Sequence, residues 1–163
     1  MEYMITRVKT TSLATTEVGG YIIGHKKGCS IDIKKFLHCA NQTENMRGQY
    51  KILYEQYADE LQQLYIDSHG YYSIIGEWHT HPSGNANPSK EDDENVYKKR
   101  WFSTYFILGI VTFERNRMIT RDSNYNRNGK VMMHLYIYKW KKKHYIGSFD
   151  VEELSEQLIM KNE

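Results

Sequence analysis

The chain is poor in the residues that mark exported, fibrous or disordered proteins. It has two cysteines, Cys29 and Cys39, in 163 residues, which suits a reducing cytoplasm better than a disulfide framework. It has two prolines, Pro82 and Pro88, and both fall in one short stretch, so rigid punctuation is concentrated at a single place. With eleven glycines and 40% apolar residues, it is neither collagen-like nor low in complexity. Long hydrophobic runs are missing. The longest, residues 105–111, is interrupted by Gly109 and falls short of the ~20 residues that span a bilayer. The opening MEYMITRVKT has no apolar stretch of signal-peptide length, which argues against export by that route. An excess of charge is missing too. Twenty-two basic residues stand against 20 acidic ones, a net charge of +2, without the clear basic excess of a nucleic-acid binder. There is no internal repeat and no linker-like segment. At about 150 residues per domain, residues 1–163 read as one cytoplasmic globular domain.

What is there reads as an α/β or α+β chain. Residues 18–27 and 30–37 pattern as strands around a turn at Lys27–Gly28. Residues 51–68 place Tyr54, Tyr57, Ala58, Leu61, Leu64 and Tyr65 on one helical stripe, which Gly70 ends. Residues 71–79 read as a strand and 89–101 as a helix. Residues 104–113 read as a buried strand, being apolar and rich in β-branched and aromatic types. Strands follow over 131–138, after the turn signal Asn128–Gly129, and over 144–149, with a short helix over 150–161. Strands and helices in this order make a mixed, curved sheet flanked by helices.

One segment carries chemistry: Glu77-Trp78-His79-Thr80-His81-Pro82, then Ser83–Pro88, then Ser89-Lys90-Glu91-Asp92. Alternation along a strand points His79 and His81 to the same side. Pro82 lacks the N–H needed to continue the ladder, so the chain turns there. Ser89 is a good helix N-cap, and Asp92 falls in the first helical turn. From there a carboxylate can reach back to the histidines. Two histidines and one aspartate leave one position open, the arrangement of a catalytic zinc rather than a structural one. A water in that position still needs a general base. Glu17, directly before Val18-Gly19-Gly20-Tyr21-Ile22-Ile23-Gly24, is the candidate, although spacing alone does not bring it to the histidines.

The run H-T-H-P, six residues, S-K-E-D, with E-V-G-G-Y-I-I-G upstream, resembles the JAMM motif of the JAB/MPN metalloprotease family. The likeness covers residues from about 13 to 113, and the flanking G-E-W-H-T-H-P is most similar to small prokaryotic JAB domains. Some of these occur in bacterial anti-phage operons beside ubiquitin-activating and -conjugating homologues. The resemblance implies one zinc ion held by His79, His81 and Asp92, proton transfer by Glu17, and an oxyanion contact from Ser89. It implies an isopeptidase or peptidase acting at the small-residue C-terminal tail of a ubiquitin-like protein.

Plainer readings stand beside these. Ser89 with Asp92 also makes an ordinary helix start, and both roles can hold at once. Asp93 is the neighbour that motif spacing rejects. Glu77 reads as a polar strand residue, with a partner role to a ligand as the sharper option. His25, His38, His69, His134 and His144 have no comparable context. Trp78 and Trp101 read as packing residues. The basic cluster Lys139-Trp140-Lys141-Lys142-Lys143-His144 reads as a solvated hairpin turn, and neither nucleic acid nor a membrane is expected as a partner. Competing functions remain: a DNA-associated protein like the RadC group, from His81-Pro82-Ser83-Gly84 with Pro88-Ser89; a non-catalytic scaffold; and peptide processing in sulfur-carrier maturation or phage-tail assembly. If a folded partner is recognised, the spare length at 38–50 and 114–130 is where contacts are expected.

Overall fold

The computed structural model describes residues 17–27, 30–38, 57–99, 105–115, 129–140 and 142–153. Cys29, Cys39, Trp101, residues 51–56 of the first helical stripe, most of the segments 38–50 and 114–130, and most of the C-terminal helix lie outside them. The elements are β1 (Gly19–Lys27), β2 (Ser30–His38), α1 (Ala58–Asp67), β3 (Ser73–Thr80), α2 (Lys90–Lys99), β4 (Tyr105–Arg115), β5 (Gly129–Lys139) and β6 (Lys142–Asp150), and residues 151–153 are helical. Among the described residues, no helix is long and apolar enough to cross a membrane.

The strands form one mixed sheet in the order β2-β1-β3-β4-β5-β6. Every neighbouring pair is antiparallel except β3 and β4. A parallel pair needs a crossover, and α2 lies within it. Register shifts in the β1/β2, β1/β3 and β5/β6 pairs each insert a residue and bend the sheet.

Alternation divides the core. Ile22, Trp78, Ile107, Val111, Val131, Met133 and Leu135 pack on one face with Val151. On the other face α1 sets Leu61 against Tyr21 and Ile23, and α2 sets Val96 against Leu108, Ile110, Tyr136 and Tyr138. The packing role expected of Trp78 is what the structure has. Its indole is fully buried and donates to the Leu37 carbonyl at 3.1 Å. Its register partners on both sides, Gly20 and Gly109, make room for it. A Cβ on Gly20 would fall 1.7 Å from the Leu37 oxygen, and one on Gly109 would fall 2.7 Å from Met133 Sδ. That is why glycine interrupts the apolar run of β4.

Several expected boundaries move. The strands β4, β5 and β6 run further than the apolar pattern alone marks, because ladder hydrogen bonds continue through charged ends that hydrophobicity does not register. Tyr65 ends up 54% exposed, at the margin of the helical stripe rather than within it. Tyr71 and Tyr72 precede β3 instead of opening it, with the Tyr72 N–H bonded to Ser68 Oγ at 3.0 Å.

Candidate metal centre

The site forms where the C-terminal end of β3 meets the N-terminus of α2. His79 and His81 share the helix-bearing face of the sheet, as alternation requires. His79 sits beside Ile110 of β4, and Ile110 packs against α2. Both imidazoles are buried, at 5% and 8% exposure. The His81 N–H still finds the Val111 carbonyl at 2.9 Å, and the chain then turns at Pro82.

Ser89 and Asp92 form a reciprocal cap. Ser89 Oγ accepts from the Asp92 N–H at 3.1 Å, and Asp92 Oδ2 accepts from the Ser89 N–H at 2.6 Å. The cap fixes the first turn of α2, which turns the Asp92 carboxylate back over the strand. Asp92 Oδ1 lies 3.2 Å from His79 Nε2, and Oδ2 lies 3.3 Å from His81 Nε2. The two Nε2 atoms are 3.1 Å apart. His79, His81 and Asp92 thus each bring one donor atom within 4.8 Å of the others.

This donor set fits a metal ion. Tetrahedral ligands at about 2.0–2.1 Å from zinc are separated by roughly 3.3 Å, which matches these spacings. The tautomer fits as well. His81 Nδ1 lies 2.7 Å from the Asn85 carbonyl, so that nitrogen carries the proton and Nε2 presents its lone pair. Burial alone would push the Asp92 carboxyl up. The bonds to His79 and His81, with the Ser89 side chain, prevail and hold it far below the usual carboxylate range. Burial would likewise lower His81, but Asp92 and the Asn85 carbonyl reverse the direction and raise it.

Glu17 reaches this site through strand pairing. The β1/β3 register sets Gly19 against His79 and Gly20 against Trp78, and continuing it by two residues puts Glu17 across from His81. Directly opposed residues share a face. The lock is local: the Thr80 N–H donates to the Val18 carbonyl at 2.7 Å, and the Val18 N–H donates to Thr80 Oγ1 at 2.9 Å. The residue between the two histidines therefore fixes the residue after Glu17. Burial raises the Glu17 carboxyl above its ordinary value, while His79 and His81 pull it back down.

Glu77 does not touch the histidines. It takes Lys99 Nζ on both oxygens, at 2.8 and 2.6 Å, and ties the far end of α2 to β3. Asp93 has a role that motif spacing does not reveal. It accepts from the Tyr138 hydroxyl and from Lys143 Nζ, which pins the first turn of α2 to β5 and β6. Tyr138 is fully buried, and burial together with Asp93 pushes its hydroxyl well above the usual phenol range. Only these long-range partners could have marked Asp93, and a linear sequence does not show them. Asp93→Ala should cost about 2 kcal/mol, mostly from the buried Tyr138 hydroxyl left without an acceptor. The partly exposed Lys143 pair adds little. A denaturant midpoint unchanged from the parent would contradict this.

Residues 5–121 match the prokaryotic homologs of the JAB domain. The CD-NTase/cGAS isopeptidase of Escherichia coli is 27% identical over 106 residues, which are 65% of this chain and 62% of that protein. The match therefore spans less than two thirds of that relative's length. A Desulfitobacterium hafniense protein of known solution structure shares the fold, with a TM-score of 0.58 at 14% identity over 90% of this chain and 84% of the other. With its His79-Thr80-His81-Pro82 strand end and capped Asp92 helix, the chain belongs to the family of prokaryotic homologs of the JAB domain.

Proposed function

We propose that the protein is a zinc-dependent isopeptidase or peptidase that cleaves after the C-terminal tail of a ubiquitin-like protein. The observation that carries this reading is the convergence of His79, His81 and Asp92 on one point with Glu17 across the strand pair. The name of the Escherichia coli relative supports an isopeptidase and points to CD-NTase/cGAS-type conjugates as substrates. Ubiquitin-activating and -conjugating homologues are the partners that such a substrate requires.

His79 Nε2, His81 Nε2 and one Asp92 oxygen would hold the ion. When bound, zinc polarises a carbonyl and lowers the pKa of a water. The protein's own groups do the rest. The Asn85 carbonyl fixes the His81 ring, and the Ser89 cap fixes Asp92. Glu17 takes the proton of the attacking water and delivers it to the departing amine. Burial raises its proton affinity and the histidines restrain that rise, so one carboxyl can both accept and release. The Ser89 Oγ accepts from the helix, and its O–H, which otherwise bonds Asp92, would turn to negative charge developing on the carbonyl oxygen.

Ser89→Ala should slow turnover by about 10²–10³-fold as an oxyanion donor and cost ~1 kcal/mol of stability as a cap. Loss of stability with turnover within about threefold of the parent would reduce it to a cap.

The test of the function is intact-mass spectrometry on zinc-loaded protein incubated with ubiquitin-like and sulfur-carrier proteins bearing C-terminal extensions. Loss of an extension at the small-residue end, absent with Glu17→Ala, supports the reading. No cleavage of any substrate contradicts it.

A further inference from the structure

The net charge of +2 does not say where the charges stand. Glu17, Glu91 and Asp92 lie at the histidine end of the sheet. The opposite end carries a row of cations interleaved with aromatic rings. Lys26 Nζ stands 4.6 Å above the centroid of the Tyr105 ring. Tyr105 is the register partner of Lys139, and Lys139 faces Lys142 at the closing pair of the β5–β6 hairpin, with Trp140 following it. Among the described residues, neither Lys139 nor Lys142 has a carboxylate partner. Lys139 is five positions along β5 from His134, which shares a register row with Ile110 and His79. That is about 17 Å along the strand from the row of the metal centre.

Two features of this row destabilise the fold. Like charges directly opposed on neighbouring strands repel. Trp140 has φ 58°, in the left-handed region where a bulky residue is strained and where hairpins place Asn or Gly. The indole recovers little by packing, since it is 69% exposed. Local rules broken without a gain in packing are the signature of a surface kept for binding.

We infer that this end of the sheet binds single-stranded nucleic acid, with Lys26, Lys139 and Lys142 along the phosphates and an unpaired base stacked on Trp140. Cations tracking a backbone beside an open aromatic face are what sequence-tolerant strand binding uses. Bases in a duplex are already stacked and would leave Trp140 unused. An acidic peptide would satisfy the lysines and not the indole. A bilayer would call for apolar neighbours where the hairpin has lysines. The even overall charge argues against nucleic acid only when charge is evenly spread.

The test is fluorescence anisotropy of a labelled oligothymidylate with the full chain. Log affinity should fall with log salt at a slope of about −2 for three lysine contacts. Trp140→Gly should weaken binding about tenfold and raise the thermal midpoint, because glycine sits at this φ without strain. Lys142→Glu gives Lys139 a cross-strand partner, so it should abolish binding while the zinc affinity of the protein is unchanged. No binding by the parent chain would overturn the inference. So would binding that both variants retain, a lower midpoint for Trp140→Gly, or equal affinity for polyglutamate or phosphatidylserine vesicles.

Discussion

Glu17→Ala should abolish measurable cleavage of a ubiquitin-like fusion, a loss of about 10²–10⁴-fold, while zinc stays bound at the parent stoichiometry. The reason is positional. Glu17 lies across from His81 through the β1/β3 ladder, yet the converging donor set is His79, His81 and Asp92. Removing its carboxyl takes away the proton carrier and leaves every ligand in place. The Thr80 bonds to Val18 hold the backbone without it, so the fold should be unchanged. Zinc content and turnover measured on the same preparation separate the two quantities. Zinc lost with Glu17 would mean that the carboxylate is itself a ligand.

His79→Ala should behave differently and lose metal and activity together. Two of three donors remain, and the His79 Nε2 that lies 3.1 Å from His81 and 3.2 Å from Asp92 is gone. Stability gives an independent measure. A ligand that binds only the folded state stabilises by about 4 kcal/mol when present at a thousand times its dissociation constant. Zinc should therefore raise the melting temperature of the parent and of Glu17→Ala, and leave that of His79→Ala where it was. Activity retained by His79→Ala would rule out the centre as described.

Much of this site was legible in the sequence, for identifiable reasons. The histidine pair reads directly, because strand alternation is local and Pro82 marks where the strand stops. Ser89 and Asp92 read as a cap three residues apart, and the structure has that cap on both sides. Glu17 did not read from spacing, because its distance to His81 is set by the pairing of two strands separated in sequence by β2 and α1. Resemblance to a family motif supplied it instead. Asp93, rejected by motif spacing, has partners on β5 and β6, and the Asn85 carbonyl that orients His81 is a backbone group with no side-chain signature. Glu77 reads as a polar strand residue, and its partner, Lys99 on the crossover helix, is too distant in sequence for local spacing to reveal. The hairpin at Lys139–Lys142 shows the opposite limit. Its charge is visible in the sequence, whereas the strain at Trp140 and the opposed lysines arise only from the hairpin's register and turn.

The proposed catalytic metal stands or falls on the zinc content of the purified protein. Elemental analysis of the parent, Glu17→Ala and Asp92→Ala after equilibration with zinc and removal of the excess should give one zinc per chain for the first two and none for the third. Equal zinc in all three, or none in the parent, would contradict the metal centre at His79, His81 and Asp92.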